Sequence, residues 1–263
     1  MDAHPDIPPP QWAHILSELR KIEAREDLRI LFAIESGSRA WGFASPDSDF
    51  DVRFVYARRQ DWYLSLAPGR DIIELPLIDD DDINGWDIQK ALNLALKPNP
   101  VLLEWLSSPI RYIWETEICD QIKAFTQTIT HTTSCRHHYM RIADIQRGTG
   151  NHIKLKRYFY ALRAAMALRW IETRTDLPPM NFHELMAGVD IPATVSQEIS
   201  RLLKIKTNTD EFGTGPRIPV LEDFITAQID WAKAQSNTRP DIDIHRAARA
   251  RGDDLFKCIV AGK

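Results

Sequence analysis

The chain has little cysteine: Cys119, Cys135 and Cys258 are all it carries in 263 residues, far apart and without a CxxC pair. That spacing excludes a zinc ribbon and argues against a disulfide framework, so a reducing, cytoplasmic setting is the expectation. No apolar run approaches the roughly 20 residues that span a bilayer, which excludes a membrane helix. The first residues, with Asp2, Asp6 and Pro8 to Pro10, lack the apolar stretch of a secretory signal. A dominant charge is missing too. Lys and Arg number 33 against 37 Asp and Glu, leaving −4, so any polyanion contact must come from a local basic surface. There is no internal repeat and no low-complexity tract. Hydrophobic residues at 44% and charged residues at 27% are ordinary for a globular chain, and the length suits one large domain or two modest ones.

What is present divides in two. Trp12, Ile15, Leu16, Leu19 and Ile22 recur at helical spacing within Gln11–Arg25. Strands are expected at Leu28–Ile34, Phe50–Tyr56, Asp71–Leu77 and Ile83–Asp87, and a helix at Ile88–Leu96 ahead of Pro98. Beyond Pro100 the strand signal fades. Helical patterns cover Val101–Leu106, Glu117–Ile129, Cys135–Arg147, His152–Arg174, Ala193–Leu203, Leu221–Ala234 and Ile244–Val260. The fold class is therefore α+β: a small mixed sheet flanked by helices over residues 1–112, followed by an all-helical domain over 113–263. The boundary falls within Pro109–Thr116, and Asn208–Pro219 reads as an exposed loop.

The chemistry concentrates in Glu35–Tyr56, ESGSRAWGFASPDSDFDVRFVY. A strand ends near Gly37-Ser38, a turn follows at Ser45–Ser48, and the next strand carries Asp49 and Asp51. Alternation puts these two carboxylates on one face, with Phe50 and Val52 turned the other way. Like charges this close repel, and a divalent cation between them removes the conflict. Carboxylate oxygens suit Mg2+ or Mn2+. Gly37 lets a backbone approach phosphate, and Ser38 near a helix start offers amide and hydroxyl donors. A two-metal displacement asks for a third carboxylate. Asp87, at the end of a strand able to pair beside Asp49 and Asp51, is preferred over Glu74.

Gly37-Ser38, ten intervening residues, then Asp49-x-Asp51 resembles the signature of the polymerase β nucleotidyltransferase superfamily. The passages ESGSRAWGFASPDSDFDVRF, DWYLSL, RDIIELP, GWDIQKAL, NPVLLEWLSSPI and KLKRYFYALRAAMALRWI resemble one branch of it, the RlaP or YcgL-like predicted nucleotidyltransferases. Related sequences carry Asp or Glu where Asp87 stands, ahead of a Lys at Lys90. The resemblance implies a polymerase-β-type catalytic domain that uses an NTP and a two-ion site. Asp49, Asp51 and Asp87 are the expected metal ligands and catalytic residues, and Gly37, Ser38, Arg39, Lys156 and Arg163 the expected nucleotide contacts. The family's association with RNA ligases favours an RNA end as acceptor, with a protein or small-molecule hydroxyl as the alternatives.

Each residue also has a plainer reading. Asp49 and Asp51 could be turn and edge-strand acids, and Gly37-Ser38 a turn with a helix cap. Asp87 before Ile88 is an ordinary helix N-cap, and Arg39 is as readily a surface residue as a phosphate contact. Trp41 and Phe43 read as core packing, Asp79–Asp82 as a solvated loop, and His137-His138 as structural. Lys154, Lys156, Arg157, Arg163 and Arg169 are either a phosphate-binding face or the wet side of a helix. The rival functions are a non-catalytic nucleotide- or RNA-binding module and an antitoxin-like modifier of a partner protein.

Overall fold

Pro9 sits at the first position of a helix, where its missing N–H is one the helix could not use. In the computed structural model, which describes residues 4–67, 69–76, 81–97, 99–129, 132–207, 213–235 and 242–262, it opens α1 (Pro9–Glu26). Trp12, Ile15, Leu19 and Ile22 are its buried stripe. Asp27 ends the helix in the left-handed conformation, and its N–H reaches the Glu23 carbonyl. There follow β1 (Leu28–Glu35), the four-residue α2 (Gly37–Ala40), β2 (Phe50–Arg58), α3 (Gln60–Tyr63), β3 (Ile72–Glu74) and β4 (Asp81–Asp87). Next come α4 (Ile88–Leu96), α5 (Pro100–Leu106), β5 (Arg111–Trp114), α6 (Thr116–Gln127), α7 (Thr132–Arg147) and β6 (His152–Lys154). The chain closes with α8 (Leu155–Thr173), α9 (Phe182–Ala187), α10 (Ala193–Thr207), β7 (Thr214–Pro216), α11 (Pro219–Ala234) and α12 (Ile242–Val260).

These elements form two compact units, Met1–Gly37 with Asp49–Thr130 and Pro240–Lys263, and Ser38–Ser48 with His131–Arg239. The division differs from a single cut at 112/113, and packing gives the reason. β5 pairs with β1, α6 lies against β1, and α12 returns to pack on α4 and α6.

The first unit is a five-stranded sheet of order β3-β4-β2-β1-β5. β2 and β4 run parallel, and the other neighbouring pairs are antiparallel. Alternation sorts the side chains. Val52, Phe54, Tyr56 and Ile83 face α1, whereas Val55 and Ala57 share the opposite core with α4, α5, α6 and α12. Gly85 is needed at its place in β4, because a Cβ there would lie 2.2 Å from the Phe54 ring.

Several elements depart from the sequence reading, among them β7, which lies in the segment expected to be an exposed loop and belongs to a domain expected to be all-helical. β4 begins at Asp81 rather than Ile83, so Asp81 and Asp82 are strand residues, not a solvated loop; Asp79 and Asp80 lie outside the described residues. Asp81 is buried, its carboxylate accepting from Gln11 Nε2 at 2.6 Å and facing His14 Nε2 at 3.0 Å. The segment read as a domain boundary holds β5, and His152–Lys154 pairs with β7 instead of starting a helix.

In the second unit α8 packs on α7, α9 and α11. It is buried almost all round, with Ala161, Ala164, Ala165 and Ala167 letting its neighbours approach closely. Among the described residues no helix is long and apolar enough to cross a membrane.

Candidate active site

The site is built on the meeting of β1 with β2. Glu35, the last residue of β1, is fully buried. Its Oε1 accepts from the Asp51 N–H at 2.9 Å, and its Oε2 accepts from the Tyr112 hydroxyl at 2.7 Å. The Ser36 N–H donates to the Asp51 carbonyl at 2.8 Å. Both backbone groups of Asp51 are therefore held, which fixes where its side chain leaves the sheet. The next residue, Gly37, has φ 56°, and a Cβ on it would stand 1.8 Å from Asp51 Oδ2. Only glycine allows this backbone to lie against that carboxylate.

The partner of Asp51 comes from β4. Parallel pairing sets Asp51 opposite Asp82 and Arg53 opposite Asn84, all four on one face of the sheet. Arg53 Nη2 lies 3.1 Å from Asp51 Oδ1 and 2.6 Å from Asp82 Oδ2. Arg53 Nη1 donates to the carbonyls of Val52 at 3.0 Å and Asp82 at 2.6 Å. Asn84 Nδ2 donates to Asp82 Oδ1. Two carboxylates on adjacent strands thus share one guanidinium. Asp49 lies one residue ahead of β2 and is half-buried.

Asp87 does not join them. It stands opposite Tyr56, five residues further along the pair than Asp51, about 17 Å at strand rise, and on the other face. It is fully buried as the N-cap of α4: Oδ1 accepts from the Gln89 N–H at 2.7 Å and Oδ2 from the Tyr63 hydroxyl at 2.8 Å. Burial raises its pKa to about 6, against the pull of the Gln89 and Tyr63 hydrogen bonds. Burial also raises the Tyr63 and Tyr56 phenols. Glu74, the reserve choice, pairs with Asn84 from the edge strand and bonds Arg70 at 2.8 Å.

The remaining expected residues lie in the second unit. Ser38 is buried, its carbonyl accepting from the Phe43 N–H at 3.0 Å. Arg39 Nη2 donates to the Ser48 carbonyl at 2.6 Å, and Ser45 and Ser48 hydroxyls meet at 3.0 Å, so the Ser38–Ser48 loop is closed on itself. On α8, Lys156 is half-buried. Arg163 is buried, 4.5 Å from the Trp41 ring centroid, with Nε donating to the Met180 carbonyl at 3.3 Å. Trp41 and Phe43 pack against Tyr160, Phe159 and Phe182, as core residues do.

Among the described residues no three His, Cys, Asp or Glu side chains converge at metal-binding distance. The donor set at the strand starts still suits a hard divalent ion. Asp51 and Asp82 are acid groups that already share one positive charge, with the Gly37 backbone closed against one of them. Sequence reasoning did not single out Glu35 or Arg53, and it read Asp82 as part of a solvated acidic loop rather than as a metal ligand. The signal for Asp82 was its place just before Ile83: in a parallel pair strand start meets strand start, so the second residue of β4 is the one that meets Asp51, the second residue of β2.

Comparison with known proteins identifies the family. The Bacillus subtilis protein YcgL is 39% identical over 221 residues, covering 82% of this chain and 84% of YcgL. A nucleotidyltransferase-like protein from Exiguobacterium sibiricum 255-15 aligns over 95% of this chain and 80% of its own, at 11% identity and a TM-score of 0.30, too distant to bear on the fold. Residues 12–257 match the RlaP family, described as the RNA repair pathway DNA polymerase beta family. By that match and that identity, the chain belongs to the RlaP family, the RNA repair pathway DNA polymerase beta family.

Proposed function

We propose that this chain is a nucleotidyltransferase that moves a nucleoside monophosphate from an NTP to a hydroxyl and releases pyrophosphate, with an RNA end as the favoured acceptor. The observation that carries the reading is the meeting of Asp51 with Asp82 at the starts of two parallel strands, under the Gly37 backbone. Asp49, Asp51 and Asp82 would hold Mg2+ or Mn2+. When bound, such an ion offsets triphosphate charge and lowers the pKa of an attacking hydroxyl. Asp82 is assigned the place first expected of Asp87, which is buried as the N-cap of α4.

The protein's own groups have distinct tasks. Glu35 and Ser36 hold the Asp51 backbone, which fixes where its carboxylate leaves the sheet. Gly37, lacking a Cβ, lets the turn backbone lie against the Asp51 carboxylate. Ser38, Arg39 and Lys156 are assigned to the triphosphate, because a hydroxyl and two cations suit its oxygens. Arg163 serves that loop through Trp41, whose ring it covers.

The test is incubation of the full chain with Mg2+ or Mn2+, each α-labelled NTP in turn, and separate pools of RNA and protein. Label entering RNA, lost in Asp51→Asn and in Asp82→Asn but retained in Asp87→Asn, supports the proposal. Label entering protein alone redirects the acceptor to a partner protein. NTP binding without transfer by the wild type leaves a binding module in its place.

A further inference from the structure

Arg53 occupies the ground between the two carboxylates that the proposed function assigns to a divalent ion. One guanidinium nitrogen, Nη2, contacts both of them, at 3.1 Å from Asp51 and 2.6 Å from Asp82. All three side chains are largely withdrawn from water, with 18% of Arg53, 26% of Asp51 and 34% of Asp82 exposed. The same side chain is tied to the main chain through Nη1, which donates to the carbonyls of Val52 and Asp82. The register makes this a built arrangement. Arg53 is two residues beyond Asp51 on the same face of β2, and Asp82 lies level with Asp51 on β4.

We infer that Arg53 is the resident counter-ion of the Asp51–Asp82 pair, and that a divalent cation binding to the pair must displace its Nη2. The inference rests on the reading of Asp51 and Asp82 as metal ligands. A guanidinium and a hard divalent ion compete for the same oxygens, since an ion needs carboxylate oxygens at about 2.0–2.2 Å and admits no N–H group between them. The arginine keeps the two carboxylates apart in charge but together in space while no ion is bound, because like charges on adjacent strands otherwise repel. Nη1 and Nη2 belong to one planar guanidinium, so yielding the carboxylates turns the whole group and strains its Nη1 bonds to the Val52 and Asp82 carbonyls as well. Arg53 is thus a positioning residue, and it sets the affinity of the pair for metal.

The experiment is a Mn2+ titration of the full chain without nucleotide, read by the electron paramagnetic resonance of free Mn2+. Wild type is compared with Arg53→Gln, Arg53→Lys, Asp51→Asn and Asp82→Asn, and circular dichroism confirms that each is folded. Arg53→Gln keeps a donor for the main-chain carbonyls and removes the charge. It is expected to bind Mn2+ about tenfold more tightly than wild type, a gain of about 1.4 kcal/mol. Arg53→Lys keeps a charge and stays within a few-fold of wild type, and remains a folded test should the glutamine variant fail. A purely structural role for Arg53 moves stability but does not tighten metal binding. Unchanged or weaker binding in Arg53→Gln, with binding still lost in Asp51→Asn, overturns the counter-ion role and leaves the metal site standing. Mn2+ binding that neither aspartate variant alters overturns the assignment of the pair to metal, and the Arg53 inference with it.

Discussion

The strand pair β2–β4 carries acid groups at both ends, and the two ends behave oppositely. At the start, Asp51 and Asp82 leave the same face, partly exposed, and share the Arg53 guanidinium. At the finish, Asp87 is buried on the other face, spoken for by the Gln89 N–H and the Tyr63 hydroxyl. Both are aspartates in one short sheet, yet only the first end offers carboxylate oxygens to an incoming ion. Parity and direction make the difference. An odd offset of five residues turns the side chain to the other face, and the parallel run carries it to the far end. A carboxylate count along a sequence therefore says little about a site until strand direction is known.

The contrast is tested most severely at the open end. Asp51→Asn removes charge from the proposed metal site and is expected to lower nucleotidyl transfer by at least about 10²–10³-fold, several kcal/mol of transition-state stabilisation. Gly37→Ala should do comparable damage without touching a charge, because its Cβ would overlap Asp51 Oδ2 and its φ of 56° is unfavourable for alanine. Label transfer measured beside thermal unfolding separates loss of the site from loss of the fold. An active Gly37→Ala protein would show that the Gly37–Asp51 contact is not needed. Asp82→Asn should cost about 10²-fold, since an amide keeps the shape of the side chain and forfeits its charge. Transfer by Asp82→Asn at the wild-type rate would remove Asp82 from the site.

Much of this was legible in the residues. The spacing of Gly37-Ser38 and Asp49-x-Asp51, the alternation along Phe50–Tyr56 and the stripe of α1 all describe local periodicity, which a sequence displays directly. The pairing of β4 beside β2 was also foreseen, but not its direction. Direction depends on how the chain crosses between the strands, and no residue near Asp87 records it. Asp82 was hidden for a second reason: four consecutive acids look solvated, whereas Asp81 and Asp82 pair with β2 and their side chains meet Arg53, Asn84, Gln11 and His14. The division into two units was obscured because α12 returns to the first unit from the far end of the chain.

At the buried end the expected effect is on stability and runs with pH. Asp87 has an ordinary pKa of 3.8, raised in the fold to about 6 by burial. Between these values the folded chain keeps a proton that the unfolded chain has released. Its contribution to stability is therefore fully present below about pH 4, is lost as pH rises towards 6, and is flat above. A rise of that size corresponds to an effect on the order of 3 kcal/mol. Asp87→Asn keeps an N-cap acceptor and drops the charge, so it should hold transfer activity within about twofold. It should also unfold at a higher temperature than wild type above pH 6, with the gap closing towards pH 4. An Asp87→Asn protein that is stable but inactive would return Asp87 to the reacting groups.

The smallest expected effect lies at the edge of the sheet. Glu74 is on the face that carries Asp51, Arg53 and Asp82, for it pairs directly with Asn84. It differs from Asp82 only in strand: β3 is the edge of the sheet, so Glu74 is two strands from β2, roughly 10 Å across. Its Oε2 is engaged by Arg70 in an exposed pair, whose loss is worth at most about 1 kcal/mol. Glu74→Gln should therefore leave Mn2+ affinity and transfer within about twofold of wild type. A Glu74→Gln protein with metal binding weakened as far as in Asp82→Asn would mean that face alone selects the third carboxylate. Equality with wild type means that adjacency to β2 selects it.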